Sequence, residues 1–132
     1  MPLQLFGTVT EGLGAALDLY QARHQVLAEN IANSETPGYR ARDIEFAEQL
    51  AAALSKSEQG TKTAGDPKTV ASPIHVEPTV DRNAAVKPDG NSVALDLQVG
   101  KLSENAFKIE ALTQILSARY ASLKQVIDGG KP

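Results

Sequence analysis

The sequence predicts a mostly α fold: long N- and C-terminal helices packed as a coiled-coil-like pair, with a short helix and a flexible or weakly β middle region. Three observations carry this. Apolar residues recur at heptad-like spacing at both ends, a helix-stopping turn stands at residues 36–39, and the stretch 55–91 holds four of the seven prolines with little patterned hydrophobicity.

The first helix is marked by Phe6, Val9, Leu13, Ala16, Tyr20, His24, Leu27 and Ile31, in alternating steps of three and four. Gly7, Gly12 and Gly14 weaken its opening turns, so a firm helix is expected from about Ala15. A second row, Ala15, Leu19, Ala22 and Val26, lies roughly a third of a turn away. An ordinary surface helix has one apolar face, and this one has nearly two.

Pro37 lacks an N–H and pushes Thr36 out of the α region, which ends the helix near Ser34. Thr36, Pro37, Gly38 and Tyr39 then suit a type II turn, Pro at the second position and Gly supplying positive φ at the third. Asn30, Asn33, Ser34 and Thr36 put short polar side chains where the last carbonyls need partners. Asp43 is placed to cap a short helix whose one face carries Phe46, Leu50 and Leu54. Beyond it, residues 55–69 read as flexible and 70–80 as extended or a weak hairpin confined by prolines. Pro88, Asp89, Gly90 and Asn91 are a turn signal closing the middle.

The last helix is expected from Leu95 to about Ile127. Its seam would be Val99, Leu102, Ala106, Ile109, Leu116, Tyr120, Leu123 and Ile127, with Phe107, Ala111 and Ala118 on the far side, and Gly129-Gly130 ending it. The chain thus divides at 1–54, 55–91 and 92–132. A lone antiparallel hairpin would bury one seam of each helix and leave the second stripes in water, while ordering it costs about 1–2 kcal/mol of backbone entropy per residue. Leu19 and Val26 of the second stripe, and Phe107, are therefore expected to meet neighbouring subunits.

Composition excludes several functions. There are 13 basic and 16 acidic residues, a net charge of −3, so nothing global favours nucleic acid or an anionic membrane. With no Cys there are no disulfides, thiol catalysis or Cys-based metal sites. The opening residues lack the basic and apolar regions of a conventional secretory signal, and no apolar run approaches the roughly 18–20 residues of a membrane span. His24 and His75 stand in unrelated contexts, and Glu29, Glu35, Asp43, Glu45 and Glu48 read as caps and solvated faces. No nucleophile, metal or nucleotide motif is present. The expectation is no catalytic residue, no metal, no cofactor and no enzyme.

Asn30-Ile31-Ala32-Asn33 followed by Thr36-Pro37-Gly38-Tyr39-Arg40 resembles the signature of bacterial flagellar rod and hook proteins. The continuation through Ala41, Arg42, Asp43, Ile44, Glu45 and Phe46 to Leu50, and the segment 89–96 with the helix after it, are most similar to the proximal members of the basal-body rod family. Gln98 departs from the pattern, since the family usually has Glu soon after the Gly-Asn-x-Val segment. The resemblance implies a structural subunit that assembles helically into the drive shaft of the flagellum. It would be exported from the cytoplasm without a cleaved signal and stand in the periplasmic rod. Its partners would be copies of itself, other rod proteins, and export-gate or adaptor subunits at the rod base. Asn30, Asn33, Thr36, Pro37, Gly38, Tyr39, Arg40, Arg42 and Phe46 join Leu19, Val26 and Phe107 as expected interface residues. The other reading is a soluble helical adaptor or export chaperone that binds one partner helix along an open seam.

Overall fold

The computed structural model describes residues 2–60 and 74–129. Helix α1 spans Pro2–Ala32, strand β1 Arg42–Asp43, helix α2 Phe46–Gly60, strand β2 Thr79–Val80 and helix α3 Leu95–Ile127. The long helices pack on one another, α2 and β1 lie on α1, and β1 pairs with β2. The ribbon is antiparallel, with Arg42 opposite Val80 and Asp43 opposite Thr79. This is the expected mostly helical pair with a weakly β middle.

Several local expectations need correction. α1 is helical from Pro2, through all three glycines: about 1 kcal/mol of propensity at each does not end a helix that propagates cooperatively from its packed turns. Gly12 also has a packing role, since a Cβ there would lie 3.6 Å from the Leu54 side chain and α2 comes close at that point. Asp43 does not cap α2. The first helical hydrogen bond runs from the Gln49 amide to the Glu45 carbonyl, and Asp43 is held in β1 by cations instead. Of the stretch expected to be flexible, the part up to Gly60 is helix; residues 61–73 lie outside the described residues.

The core differs from the expected seam by a rotation of both helices. Leu19, Val26 and Leu27 of α1 are buried within the chain, together with Ala41, Ile44, Val93 and Leu116. Leu19 is thus fully buried within its own chain and Val26 nearly so, because α3, α2 and the β1 segment all pack on α1. On α3 the residues turned inward are Gln98, Leu102, Asn105, Ile109, Leu112 and Leu116, spaced alternately by four and three. Val99, Ala106, Tyr120 and Ile127 of the expected seam are exposed. The inward stripe contains two amides, which a hydropathy pattern does not select.

Candidate functional site

The turn at 36–39 is of type II: the Tyr39 amide donates to the Thr36 carbonyl at 3.2 Å and Gly38 has φ +75°. It docks on a second turn far away in sequence. There the Gly90 amide donates to the Lys87 carbonyl at 2.9 Å, the Lys87 amide donates to the Asn91 carbonyl at 2.8 Å, and Gly90 has φ +84°. That pattern is a type I turn closed by a left-handed glycine. The turns meet glycine to glycine, the Gly38 amide donating to the Asp89 carbonyl at 3.0 Å. A Cβ on Gly90 would stand 3.3 Å from Gly38 Cα, a tight contact that the turns could meet only by shifting a few tenths of an ångström.

Asn91 ties the second turn to the end of α1. Its buried side-chain amide donates to the carbonyls of Asn33 at 2.9 Å and Thr36 at 2.8 Å, and its Oδ1 accepts from the Val93 amide. Ser92 completes the seam, its amide donating to the Tyr39 carbonyl and its Oγ accepting from the Ala41 amide. Asn33 folds back on α1, Nδ2 donating to the Glu29 carbonyl and Oδ1 accepting from the Thr36 hydroxyl. The helix-end carbonyls that would otherwise need water are thus met by side chains.

Asn30 is the hub beneath this clasp. It is fully buried; Nδ2 donates to the Arg42 carbonyl at 2.6 Å and to Gln98 Oε1 at 3.1 Å, while Oδ1 accepts from the Arg42 amide and the Tyr39 hydroxyl. Every donor and acceptor of that amide is used. A neutral Gln98 provides the acceptor in an enclosed site where a carboxylate would carry the cost of a buried charge.

One layer further along, Asp43 joins three elements. Arg23 grips it with two hydrogen bonds of 2.8 and 3.0 Å, and Lys101 of α3 approaches at 3.2 Å. Burial opposes ionisation of Asp43, but the Arg23 hydrogen bond, the Ile44 amide and Lys101 together hold its carboxyl below the usual range. The Asp43 hydrogen bond raises the Arg23 pKa in turn. Tyr20 then stacks on Phe46 with ring centroids 4.2 Å apart, Lys108 lies 5.7 Å from the Tyr20 centroid, and Asn105 donates to the Tyr20 carbonyl at 2.7 Å. So Phe46 and Tyr39, expected at a subunit interface, are engaged within the chain.

The outward face of α3 is different. Phe107 is 73% exposed, and Leu97, Val99 and Ile115 are about half exposed. At 3.6 residues per turn, Phe107 lies about half a turn round from Gln98 and Asn105, which face α1. Thr36, Pro37, Gly38 and Arg40 are exposed at the clasp, while Arg42 is half-buried and pairs with Glu29 at 2.7 Å. Among the described residues, no group of His, Cys, Asp and Glu is arranged to hold a metal ion, and no helix is long and apolar enough to cross a membrane.

The clasp unites residues 30–46 with 87–98, the two separated segments that carry the signature. Comparison with known proteins agrees with that signature. The chain is 33% identical to "Flagellar basal body rod protein FlgB" of Salmonella typhimurium, over 87% of this chain and 89% of the relative. The chain belongs to the FlgB family of flagellar basal body rod proteins. The Escherichia coli FlgB is 30% identical over the same shares, and the Bacillus subtilis FlgB 26% identical over 98% of this chain and all of its own length. No family model matches the chain. As an FlgB-family member it is a component of the flagellar basal body.

Pattern reading did not single out Asn91, Ser92, Gln98, Asn105, Arg23 or Lys101 as site residues. A usable signal existed for the amides: Gln98 and Asn105 stand one heptad apart at the period of the apolar residues beside them, which marks polar positions inside a seam.

Proposed function

We propose that this FlgB-family chain is a structural subunit of the shaft of the flagellar rod, joined to copies of itself and to other rod proteins through the outward face of α3, and that the assembled shaft transmits torque. The observation that supports this is the exposed apolar row Leu97, Phe107 and Ile115 on a helix whose other face is already committed to α1. Burying that row between subunits would give a close-packed interior, and close packing resists compression and transmits strain. The clasp contributes by fixing how the two long helices leave the turn, so every copy presents the same outward face. The exposed residues Thr36, Pro37 and Arg40 are the part of the signature free to meet a neighbour. Export from the cytoplasm without a cleaved signal, a periplasmic position, and contact with export-gate or adaptor subunits at the rod base complete the reading.

The test replaces Leu97 or Ile115 by Asp in cells whose only copy is the variant. Swimming and recovery of the chain in basal bodies should both be lost, while the purified variant melts like the parent. Normal motility with either variant would refute assembly through this face, and a small closed complex in place of a polymer would favour an adaptor.

A further inference from the structure

We propose that a slot between α1 and the β1–β2 ribbon receives Phe107 of a second copy of this chain. The inference rests on the self-assembly reading above and names one contact within it. The slot has a volume of about 260 Å³; Val26, Ile44, Val76 and Pro78 form its apolar lining, and Glu29 and Arg42 pair at its edge. The slot opens onto the surface between Gln25, Glu29 and Arg42, and its volume leaves room for one aromatic side chain. A phenyl ring fits.

Phe107 is a fitting occupant. It is 73% exposed, whereas Phe46 is already stacked on Tyr20. It points away from α1, since Gln98 and Asn105 half a turn round are the residues that face that helix, so it does not reach the slot of its own chain. Charge also matches. Glu110 lies one turn beyond Phe107, while Glu104 one turn before it is already paired with Lys108 at 2.9 Å. Arg42 stands at the slot, and Arg40, two residues earlier along the extended segment, projects to the same side while Ala41 between them is buried. Arg40 and Glu110 are both exposed and make no ion pair among the described residues. These charges would steer the approach more than strengthen it. Knob and slot occupy different surfaces of one chain, so their contact is head-to-tail and leaves a free knob and a free slot at every step. Such a contact propagates into an open assembly instead of closing as a symmetric pair.

The chain has no native cysteine, which makes a cross-linking test clean. Full-length Ser103→Cys and Gln25→Cys chains, Ser103 lying one turn before Phe107 on the same face of α3 and Gln25 at the slot, are co-expressed as the only copies, and basal bodies are isolated and oxidised. A disulfide needs Cα atoms within about 7 Å, so a mixed dimer is expected, and none when Ala121→Cys replaces Gln25→Cys. Rods recovered without the Ser103–Gln25 link overturn this proposal and leave the rod reading intact. Should the cysteine variants not enter rods, methyl-labelled wild-type chain is mixed with excess unlabelled chain at millimolar concentration. Ring-current shifts of the Val26, Ile44 and Val76 methyls are expected with wild type and absent with Phe107→Ala. Methyls that stay unmoved with wild type, or move equally with Phe107→Ala, overturn the proposal.

Discussion

The clasp at residues 30–46 and 87–98 and the outward face of α3 invert the usual expectation about polar and apolar residues. The clasp is rich in Asn, Ser and Thr, yet Asn30, Asn91 and Ser92 are buried with their hydrogen bonds made inside the chain. The outward side of α3, by contrast, exposes apolar residues, Phe107 largely and Leu97 and Ile115 about half. A polar signature can thus be internal architecture, where directional bonds fix one geometry, while apolar side chains stay exposed elsewhere. Hydrogen bonds select because a buried group left unpaired costs about 1–3 kcal/mol, whereas apolar burial is nearly indifferent to direction.

Leu19→Asp should break this contrast most severely. Leu19 is fully buried against its own chain, and an unpaired carboxylate there costs several kcal/mol. The purified variant should lose cooperative unfolding in a thermal melt; a parent-like melt would return Leu19 to the subunit surface. Asn30→Leu comes next. It strips partners from the Arg42 amide and carbonyl, the Tyr39 hydroxyl and Gln98, and should cost about 3–5 kcal/mol in urea denaturation. A loss below about 1 kcal/mol would mean water replaces the hub without penalty.

Within the clasp, the glycines divide by what surrounds them. Gly90→Ala adds a tight contact with Gly38 to the strain of a positive φ and should cost about 2–3 kcal/mol, whereas Gly38→Val faces open space and should cost nearer the 1–2 kcal/mol of the left-handed backbone alone. Exposed Glu35→Ala should fall within about 0.5 kcal/mol of the parent. Denaturation midpoints rank them, and a reversed order of the glycines would remove the close approach of the turns as a cause.

Acid should loosen the same end of the molecule. Asp43 has a carboxyl pKa held below the usual range when folded, so its contribution is complete above the unfolded value of about 3.9 and is lost as pH falls through the lower folded value. Asp43→Asn should lower stability near neutral pH and flatten the decline below about pH 4. An unchanged acid limb would show that other carboxylates carry it. Smallest of all in the isolated chain is Phe107→Ser, expected within about 0.5 kcal/mol of the parent yet defective in entering basal bodies. A large loss in the monomer would mean that Phe107 packs within its own subunit.

Much of this was legible in sequence because the relevant forces are local. Two long helices follow from apolar spacing, and the turn at 36–39 follows from a proline that cannot donate and a glycine that tolerates positive φ, which Gly38 adopts. What lies between sequence-distant segments was not legible. Whether α1 buries Leu13 and His24 or Leu19 and Val26 depends on what else covers it, and α2 and β1 pack on α1 as well as α3. Likewise Asp43 next to a helix start is locally a cap, but Arg23 and Lys101 offer two cations against the single amide hydrogen bonds of a capping role. The sequence by itself determined the elements and the turn, since backbone sterics and periodicity act within a few residues. Only the tertiary structure decided which faces are inside, because burial is a property of how many elements surround a helix, and a period common to two stripes does not choose between them.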